Sequence, residues 1–282
     1  VLWSDDLTNF AGTITAKGGA ISGNGGEAEV SGKAKLSYTG LTDLTAAHGS
    51  FGNLLLDPYN VTISTGTGSN TDGGFNATGN DSVINVNTLT NALATANVTV
   101  TTGSSSDATN PQAGTITVAA PINWSALTTL TLAAASDINI NSAITANGGL
   151  IVSSGGTISA PADVNVGAFV LAAGNWVQNS GTLPAFSAKD FRITDGASFL
   201  RVTGGDGTSA TPYTVRDVYG LQGIGSSSDY LSAKWKLAGD IDASGTAIWN
   251  NGAGFNPIGD GNITFTGRLD GASHTITGLT IN

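Results

Sequence analysis

The most constraining feature of the sequence is a series of very short β-type runs whose pattern returns about every 20 residues. From Leu130 to Ile193, apolar runs of about three residues alternate with Gly, Asn, Ser and Asp, which favour turns. The runs fall into three series, which contain Leu130, Leu150, Phe169 and Phe191; Ile138, Ile158 and Val177; and Ile144 and Val164. This periodicity predicts three short strands in each repeat of about 20 residues.

Such runs are too short to form a free-standing sheet, so stacking of one repeat on the next must bury them. In a parallel β-solenoid, each strand pairs with its counterpart one coil away, at about 4.8 Å, and the apolar residues form internal ladders. The sequence therefore predicts an all-β fold, a parallel β-helix. A β-sandwich remains the alternative, but it favours longer strands and hairpin turns, and Asn147-Gly148 is the one such turn signal in this region.

The composition narrows the classes of function. The 282 residues include 40 glycines and only 11 % charged residues. Ten Lys and Arg against twenty Asp and Glu give a net charge of −10, which argues against a nucleic-acid partner. Cys and Met are absent, which excludes disulfides, thiolate nucleophiles and soft-metal sites. No apolar run approaches the roughly 20 residues of a membrane helix, so we expect no membrane insertion.

Several stretches carry a family resemblance. They are NALATANVTVTTG (91–103), GTITVAAPINWSALTTLTLAAASDININSAITANGG (114–149), GNGGEAEVSGK (23–33), GNLLLDPYNVTIS (52–64), YLSAKWKLAGDIDASGTAIWNNGAGFNPIG (230–259) and FTGRLDGASHTITGLTIN (265–282). The first four are similar to the repeat body and characteristic block of large filamentous-haemagglutinin-like exoproteins, the secreted partners of two-partner secretion systems. The last two resemble the Gly-Leu-rich repeat modules of the same exoproteins.

This resemblance implies a right-handed parallel β-helix that usually serves adhesion. It also implies export across the outer membrane of a Gram-negative bacterium through the outer-membrane transporter of the secretion pair. The family's amino-terminal secretion domain has no counterpart in the sequence, and Val1 does not begin a signal peptide. We therefore expect both ends of the chain to lie inside a longer protein.

The pattern predicts four segments. They are β-helical coils at the end of a preceding repeat (1–65), an irregular polar segment (66–113), regular coils (114–202), and an irregular loop followed by a truncated Gly-Leu-rich β-helical module (203–282). In the second segment, apolar residues at helical spacing predict one short helical excursion over Thr88–Ala96. Asn87 or Thr88 is the expected N-cap.

The two histidines are expected to be structural rather than catalytic. His274 follows Asp270 by four residues, but Asp270-Gly271 is predicted to form a turn that leads into a strand. His48 has no acidic neighbour closer than Asp43. Two histidines cannot supply a three-His zinc site, so we predict no metal and no cofactor.

The carboxylates leave an enzymatic alternative open. Asp240 and Asp242 lie two apart on one predicted strand, on the same side, and glycosidases use two acids about 5 to 9.5 Å apart. Polysaccharide lyases of this fold also need a base, and no Lys or Arg lies within ten residues after Asp240. The Asp-Gly turns in 204–212 and 258–264 each offer too few carboxylates for calcium, which takes six to eight oxygens. We therefore predict no catalytic residues.

The aromatic residues are the remaining candidates for binding. Four tryptophans lie in strand-like runs and are expected to fill the core, namely Trp124, Trp176, Trp235 and Trp249. Three tyrosines lie in the irregular segment, where an exposed phenol can stack on a sugar or a protein, namely Tyr213, Tyr219 and Tyr230. Several Asn-x-Ser/Thr sequences are possible glycan acceptors, including Asn60, Asn76, Asn97 and Asn262.

Three functional hypotheses follow. The favoured one is a non-catalytic fragment of a secreted or cell-surface adhesin, a rigid stalk that presents loops, chiefly 203–230, to glycans or proteins of host cells or surfaces. The second is a secreted β-helical carbohydrate-active enzyme, a polysaccharide lyase or glycosidase. The third is capture of a host carrier protein for nutrient acquisition. The sequence does not identify the binding residues.

Overall fold

The computed structural model describes residues 1–4, 7–10, 12–32, 35–38, 41–56, 60–66, 82–102, 113–259 and 263–282. The chain is mostly β, with 43 % of residues in strands and 13 % in helices, and a parallel sheet of nine strands curls into a half-barrel. When every hydrogen-bonded neighbour is included, the same sheet connects fifteen strands. The predicted parallel and mainly β architecture is therefore confirmed.

The strands are short, with two exceptions. In chain order they are β1 Leu2–Ser4, β2 Leu7–Phe10, β3 Thr13–Thr15, β4 Glu27–Gly32, β5 Lys35–Tyr38, β6 Leu41–Asp43, β7 Asn53–Leu56, β8 Val61–Ser64, β9 Ser82–Asn85, β10 Asn97–Thr101, β11 Ile116–Val118, β12 Ile122–Trp124, β13 Thr129–Ala134, β14 Ile138–Ile140, β15 Ile144–Ala146, β16 Gly149–Ser159, β17 Val164–Asn179, β18 Phe186–Ile193, β19 Ser198–Val202, β20 Tyr213–Val215, β21 Lys234–Leu237, β22 Ile241–Asp242, β23 Arg268–Asp270 and β24 Ile276–Thr277. Smaller sheets are formed by β2–β5, β3–β6, β20–β21–β23 and β22–β24.

Buried apolar side chains stack in register through the parallel pairings. The first ladder contains Ala28, Leu54, Val98, Leu130, Leu150, Phe169 and Phe191. The second contains Val61, Ile116, Ile138, Ile158, Trp176 and Phe199. The third contains Ile122, Ile144, Val164 and Phe186. All of these side chains are at most 8 % exposed, so the ladders form the core between the curled strands.

One predicted pairing between strands is wrong by a single residue. Ile158 pairs with Trp176, and Val177, the expected partner, is 38 % exposed. The pairing of β16 with β17 shifts register twice between Val152 and Thr157. Because side chains alternate between the two faces of a strand, a slip of one residue places the neighbour in the core.

The predicted division into uniformly short strands is also wrong for two strands. β16 has 11 residues and β17 has 16, because each continues through the positions at which turns were expected. Leu183, Pro184 and Ala185 do not form a strand, and pairing resumes at Phe186, which lies opposite Val164. Pro184 has no N–H to donate to a ladder, which fits its position just outside β18.

The predicted helix begins and ends earlier than expected. Helix α1 spans Val86–Leu93 rather than Thr88–Ala96. Its N-cap is Asn85, whose Oδ1 accepts a hydrogen bond from the Asn87 N–H at 2.9 Å. The cap thus lies at the end of strand β9, and the helix follows it directly.

One helical excursion was predicted, whereas the described residues contain three α-helices. Helices α2 (Val218–Gly223) and α3 (Ser228–Ser232) lie in the segment predicted to be an irregular loop. Their N-caps are Asp217, which accepts from the Gly220 N–H at 2.9 Å, and Ser227, which accepts from the Tyr230 N–H at 3.2 Å. Short 3-10 turns span Ile224–Ser226 and Ser244–Ile248. We describe Trp249–Gly252 as a turn because Asn250 and Asn251 are left-handed, with φ of 53° and 59°.

Two glycines let α2 lie directly on strand β19. A Cβ added at Gly220 would lie 2.3 Å from the carbonyl oxygen of Arg201, and one at Gly223 would lie 2.1 Å from that of Phe199. These separations are far below contact distance, so the close approach of helix and strand depends on glycine at both positions. The same glycines made the sequence resemble a loop.

Candidate binding clefts

The Tyr230 cleft, with a volume of about 730 Å³, lies beside strand β19 and helix α3. One wall is the turn of residues 193–198, the second is the segment 222–231, and the third contains Asn256, Pro257 and Ile263. The second wall belongs to the part of the chain that the sequence analysis proposed for binding. The other two walls come from distant stretches that no sequence pattern connects.

Hydrogen bonds between main chain and side chain fix the walls of the Tyr230 cleft to one another. The amide of Gln222, only 4 % exposed, donates to the Asn256 carbonyl at 3.0 Å and accepts from the Asn256 N–H at 2.9 Å. The Ser226 hydroxyl accepts from the Phe199 N–H at 2.8 Å and donates to the Gly223 carbonyl at 2.6 Å. The cleft therefore has its shape before any ligand binds.

The polar groups at the Tyr230 cleft are carboxylates, hydroxyls and amides. Asp195 and Asp229 are both exposed, and within the described part of the chain neither carboxylate has a hydrogen-bond or ion-pair partner. Burial raises the pKa of Tyr230, so its phenol keeps its proton at neutral pH. None of the described lining residues is Lys, Arg or His.

The Asp240 cleft, of about 470 Å³, contains both carboxylates that the enzymatic alternative would use. Asp240 and Asp242 line it together with Asp217, Lys189 and Arg216. The two basic residues come from positions upstream of Asp240, so a search of the residues after Asp240 could not find them. The cleft thus brings acids and bases together across neighbouring strands.

Each acid of the Asp240 cleft already has a structural role. Asp240 accepts from the Thr275 N–H at 2.9 Å, and this bond is the main cause of a lowered pKa of its carboxyl. Asp242 accepts from the Ser244 N–H at 2.9 Å, which lowers its pKa in the same way. Ile241, between them, is buried at 2 %, so the two carboxylates do lie on the same, outer side of the strand.

In the described part of the chain, neither histidine pairs with the acid that lies nearest to it in the sequence. His274 Nδ1 lies 3.5 Å from Oδ1 of Asp240 on the preceding coil rather than beside Asp270. Asp270 instead accepts from the Ala272 N–H at 2.9 Å and closes the predicted turn. His48 is exposed on a surface turn.

Asp43, the acid nearest to His48 in the sequence, is engaged elsewhere. It pairs with Lys17 at 2.7 Å and accepts from the Thr45 hydroxyl at 2.7 Å. These bonds, with that of Lys17 the largest, lower the pKa of the Asp43 carboxyl.

The expected calcium-type loops are turns where the structure describes them. The carboxylate of Asp206 accepts from the Thr208 N–H at 3.0 Å and from the Thr211 hydroxyl. Part of the loop 258–264 lies outside the described residues. In the described ranges, no group of three or more His, Cys, Asp or Glu side chains is arranged to hold a metal ion.

The four tryptophans fill the core as predicted, whereas the tyrosines are not free for stacking on a ligand. Trp124, Trp176, Trp235 and Trp249 are at most 7 % exposed. Tyr219 stacks on Trp249 with 5.2 Å between ring centroids, and its hydroxyl bonds to both the N–H and the carbonyl of Ala188. Tyr213 and Tyr230 pack on Trp235. All three tyrosines are half-buried, because the segment folds back onto the aromatic core.

Two of the possible glycan acceptors serve the fold. The Oδ1 of Asn60 accepts from the Gly114 and Thr115 N–H groups at 2.8 and 2.7 Å. Asn97 Oδ1 accepts from the Thr129 N–H at 2.8 Å. Asn76 and Asn262 lie outside the described residues.

An uncharged polar row runs along the outside of the third ladder. It consists of Asn123, Thr145, Asn165 and Ser187, which occupy corresponding positions on adjacent strands and are all exposed. The Ser187 hydroxyl donates to Asn165 at 2.9 Å. At one end the row meets a groove of about 640 Å³, and none of the described residues that line this groove is ionisable.

The helices that the structure describes are all too short or too polar to cross a lipid bilayer. No family model and no solved structure matches the chain. A stretch of 106 residues is 38 % identical to part of halomucin from Haloquadratum walsbyi. The match covers 36 % of this chain but only 1 % of halomucin, so this chain is similar to a small part of a very long protein.

Proposed function

We propose that the chain is a non-catalytic segment of a large secreted or cell-surface protein, in which a closed right-handed β-helix forms a rigid stalk that presents binding clefts. The whole protein would be a filamentous-haemagglutinin-like exoprotein of a Gram-negative bacterium, exported through an outer-membrane transporter. Its role would be attachment to glycans or proteins of a host cell or other surface.

The register of the buried ladders carries this proposal. Leu130, Leu150, Phe169 and Phe191 follow one another through direct parallel pairs. A fold in which each coil packs mainly on its neighbours can be extended to great length without a new core. This capacity for extension suits a segment that acts as a spacer in a long protein.

Two further observations support the proposal. The first concerns the location at the cell surface, and the second concerns the absence of catalysis. The similarity to 1 % of halomucin fits a segment of a very long protein. In addition, the lowered pKa values of Asp240 and Asp242 favour the ionised form, whereas the general acid of a glycosidase needs a raised pKa.

An array of glycans and matrix proteins probed with this chain tests the proposal, run beside an assay for new reducing ends on the same polysaccharides. Saturable binding without release of ends is the expected result. Release of ends would contradict the absence of catalysis, and failure to bind any component would contradict the adhesive role.

A carbohydrate-active enzyme is the second candidate, because the Asp240 cleft holds the basic residues that a lyase requires. Lys189 is exposed and, among the described residues, has no ion-pair partner. If the cleft were catalytic, Lys189→Met and Asp242→Asn would each abolish release of products. The unsaturated products of a lyase absorb in the short-wavelength ultraviolet, whereas those of a glycosidase do not, so absorbance would separate the two activities.

A further inference from the structure

We propose that the Tyr230 cleft is a binding site for an uncharged hexopyranose unit of a glycan. The inference rests on the proposed adhesive function and names the ligand class of one cleft. Its volume of about 730 Å³ lies within the range of roughly 300 to 1,000 Å³ that is typical of small-ligand sites.

Hydrogen bonds preform the walls of the cleft. The double hydrogen bond between Gln222 and Asn256 joins its second and third walls. The bond from the Phe199 N–H to Ser226 joins the second wall to strand β19, directly after the first wall. A preformed site avoids the free-energy cost of ordering its walls when the ligand binds, which matters for weakly binding single sugars.

The free polar groups of the cleft suit the hydroxyl groups of a sugar. Asp195 on the first wall and Asp229 on the second each offer two carboxylate oxygens that accept hydrogen bonds. Ser228, on the second wall, is also exposed and carries a hydroxyl group. Hydrogen bonds to a charged acceptor are stronger than those between neutral groups, so these two carboxylates are expected to dominate affinity.

The third wall offers an apolar surface for the C–H face of a sugar ring. The side chain of Ile263 is 57 % exposed, and Pro257 is exposed beside it. With two carboxylates and no basic residue among its described lining residues, the cleft disfavours sialic acids, uronic acids and sulfated sugars. The negative charge of the cleft therefore favours neutral glycans over acidic ones.

Titration calorimetry with the neutral oligosaccharide that binds best on the array tests the inference. Asp195→Asn and Asp229→Asn are each expected to weaken binding by about tenfold or more, because each replaces a charged acceptor by a neutral one. Glu27→Gln is the matched control, since it removes one exposed carboxylate that does not line the cleft. Each variant is checked for an unchanged circular dichroism spectrum and melting temperature.

The possible outcomes separate this inference from the proposed function. Neutral-glycan binding that both cleft variants leave unchanged, or a preference for acidic glycans, overturns the cleft assignment but leaves adhesion standing. Binding only to amine-bearing sugars, weakened by salt, would overturn the uncharged ligand in favour of a cation. Binding only to matrix proteins overturns the inference alone, and no binding to any component overturns both proposals.

Discussion

Arg201 and Asp217 form an ion pair with 2.7 Å between Nε and Oδ2, although the arginine side chain is only 5 % exposed. The same guanidinium donates to Gln178 Oε1 at 2.7 Å and to the Pro184 carbonyl at 2.9 Å. It also lies 5.5 Å from the ring centroid of Phe186. One side chain thus ties the last regular strands to the helical segment that forms the clefts.

Replacement of Arg201 by Met is expected to destabilise the chain by about 2 to 4 kcal/mol, because it leaves the Asp217 carboxylate and two further acceptors without their donor. The midpoint of urea denaturation measures the effect. Arg216→Met is the matched control, since Arg216 is exposed and its contact with the Ala238 carbonyl is long, at 3.4 Å. Equal midpoints for the two variants would show that the Arg201 network does not contribute to stability.

The second ladder predicts that substitutions at two adjacent residues differ sharply in their effect on the stability of the fold. Ile138 is fully buried between Ile116 and Ile158, whereas the side chain of Asn139 points outward. Ile138→Ala is expected to cost about 2 to 5 kcal/mol because it removes buried methyl groups and leaves a cavity. Asn139→Ala should change stability by less than about 0.5 kcal/mol. Thermal denaturation checks both, and a comparable loss in the two variants would contradict the assigned register.

The ladders could be predicted from the sequence because burial recurs at a fixed interval when successive repeats pair in parallel. Leu130, Leu150, Phe169 and Phe191 were matched correctly on that basis. Trp176 was expected in the core, but its place in the second ladder was assigned to Val177, because the two irregularities in the pairing of β16 and β17 cannot be read from the sequence. The periodicity of the sequence therefore predicts the length of the repeat, but it does not predict a register shift of one residue inside a repeat.

The candidate sites could be predicted only in part. Asp240 and Asp242 were found because they are close in sequence, whereas Asp195, Asp229 and Asn256 meet only through tertiary structure. The turn-like residues around 203–230 suggested an exposed loop, but glycines in that segment instead permit a helix to pack on β19. The local sequence shows which residues can form a turn. It does not show which distant part of the backbone that turn contacts in the folded chain.

The tyrosines of that segment differ in how their hydroxyl groups are used. Tyr219 exchanges two hydrogen bonds with Ala188, at 2.9 and 3.2 Å, whereas the Tyr213 hydroxyl has no hydrogen bond among the described residues. Tyr219→Phe is expected to cost about 1 to 2 kcal/mol, since it leaves an N–H and a carbonyl unpaired. Tyr213→Phe should be nearly neutral in the same thermal denaturation experiment. A larger loss for Tyr213→Phe would contradict this assignment.

The acid dependence of stability follows from carboxylates that accept hydrogen bonds. The hydroxyl of Thr211 and the N–H of Thr208 lower the pKa of Asp206, with the hydroxyl the larger cause. A lowered pKa stabilises the fold above the unfolded value of about 3.9, and this contribution is lost as the pH falls through the folded pKa.

Asp206→Asn removes the charge but keeps an oxygen acceptor at the same position. The stability of the unmodified chain relative to this variant should be greatest near pH 6 and should shrink below about pH 4. Denaturation midpoints measured from pH 6 to pH 2 provide the test. Asp195→Asn, which removes a carboxylate without a hydrogen bond among the described residues, should leave the midpoint at pH 6 nearly unchanged. A constant difference between the unmodified chain and Asp206→Asn over the whole range would show that ionised Asp206 does not stabilise this turn.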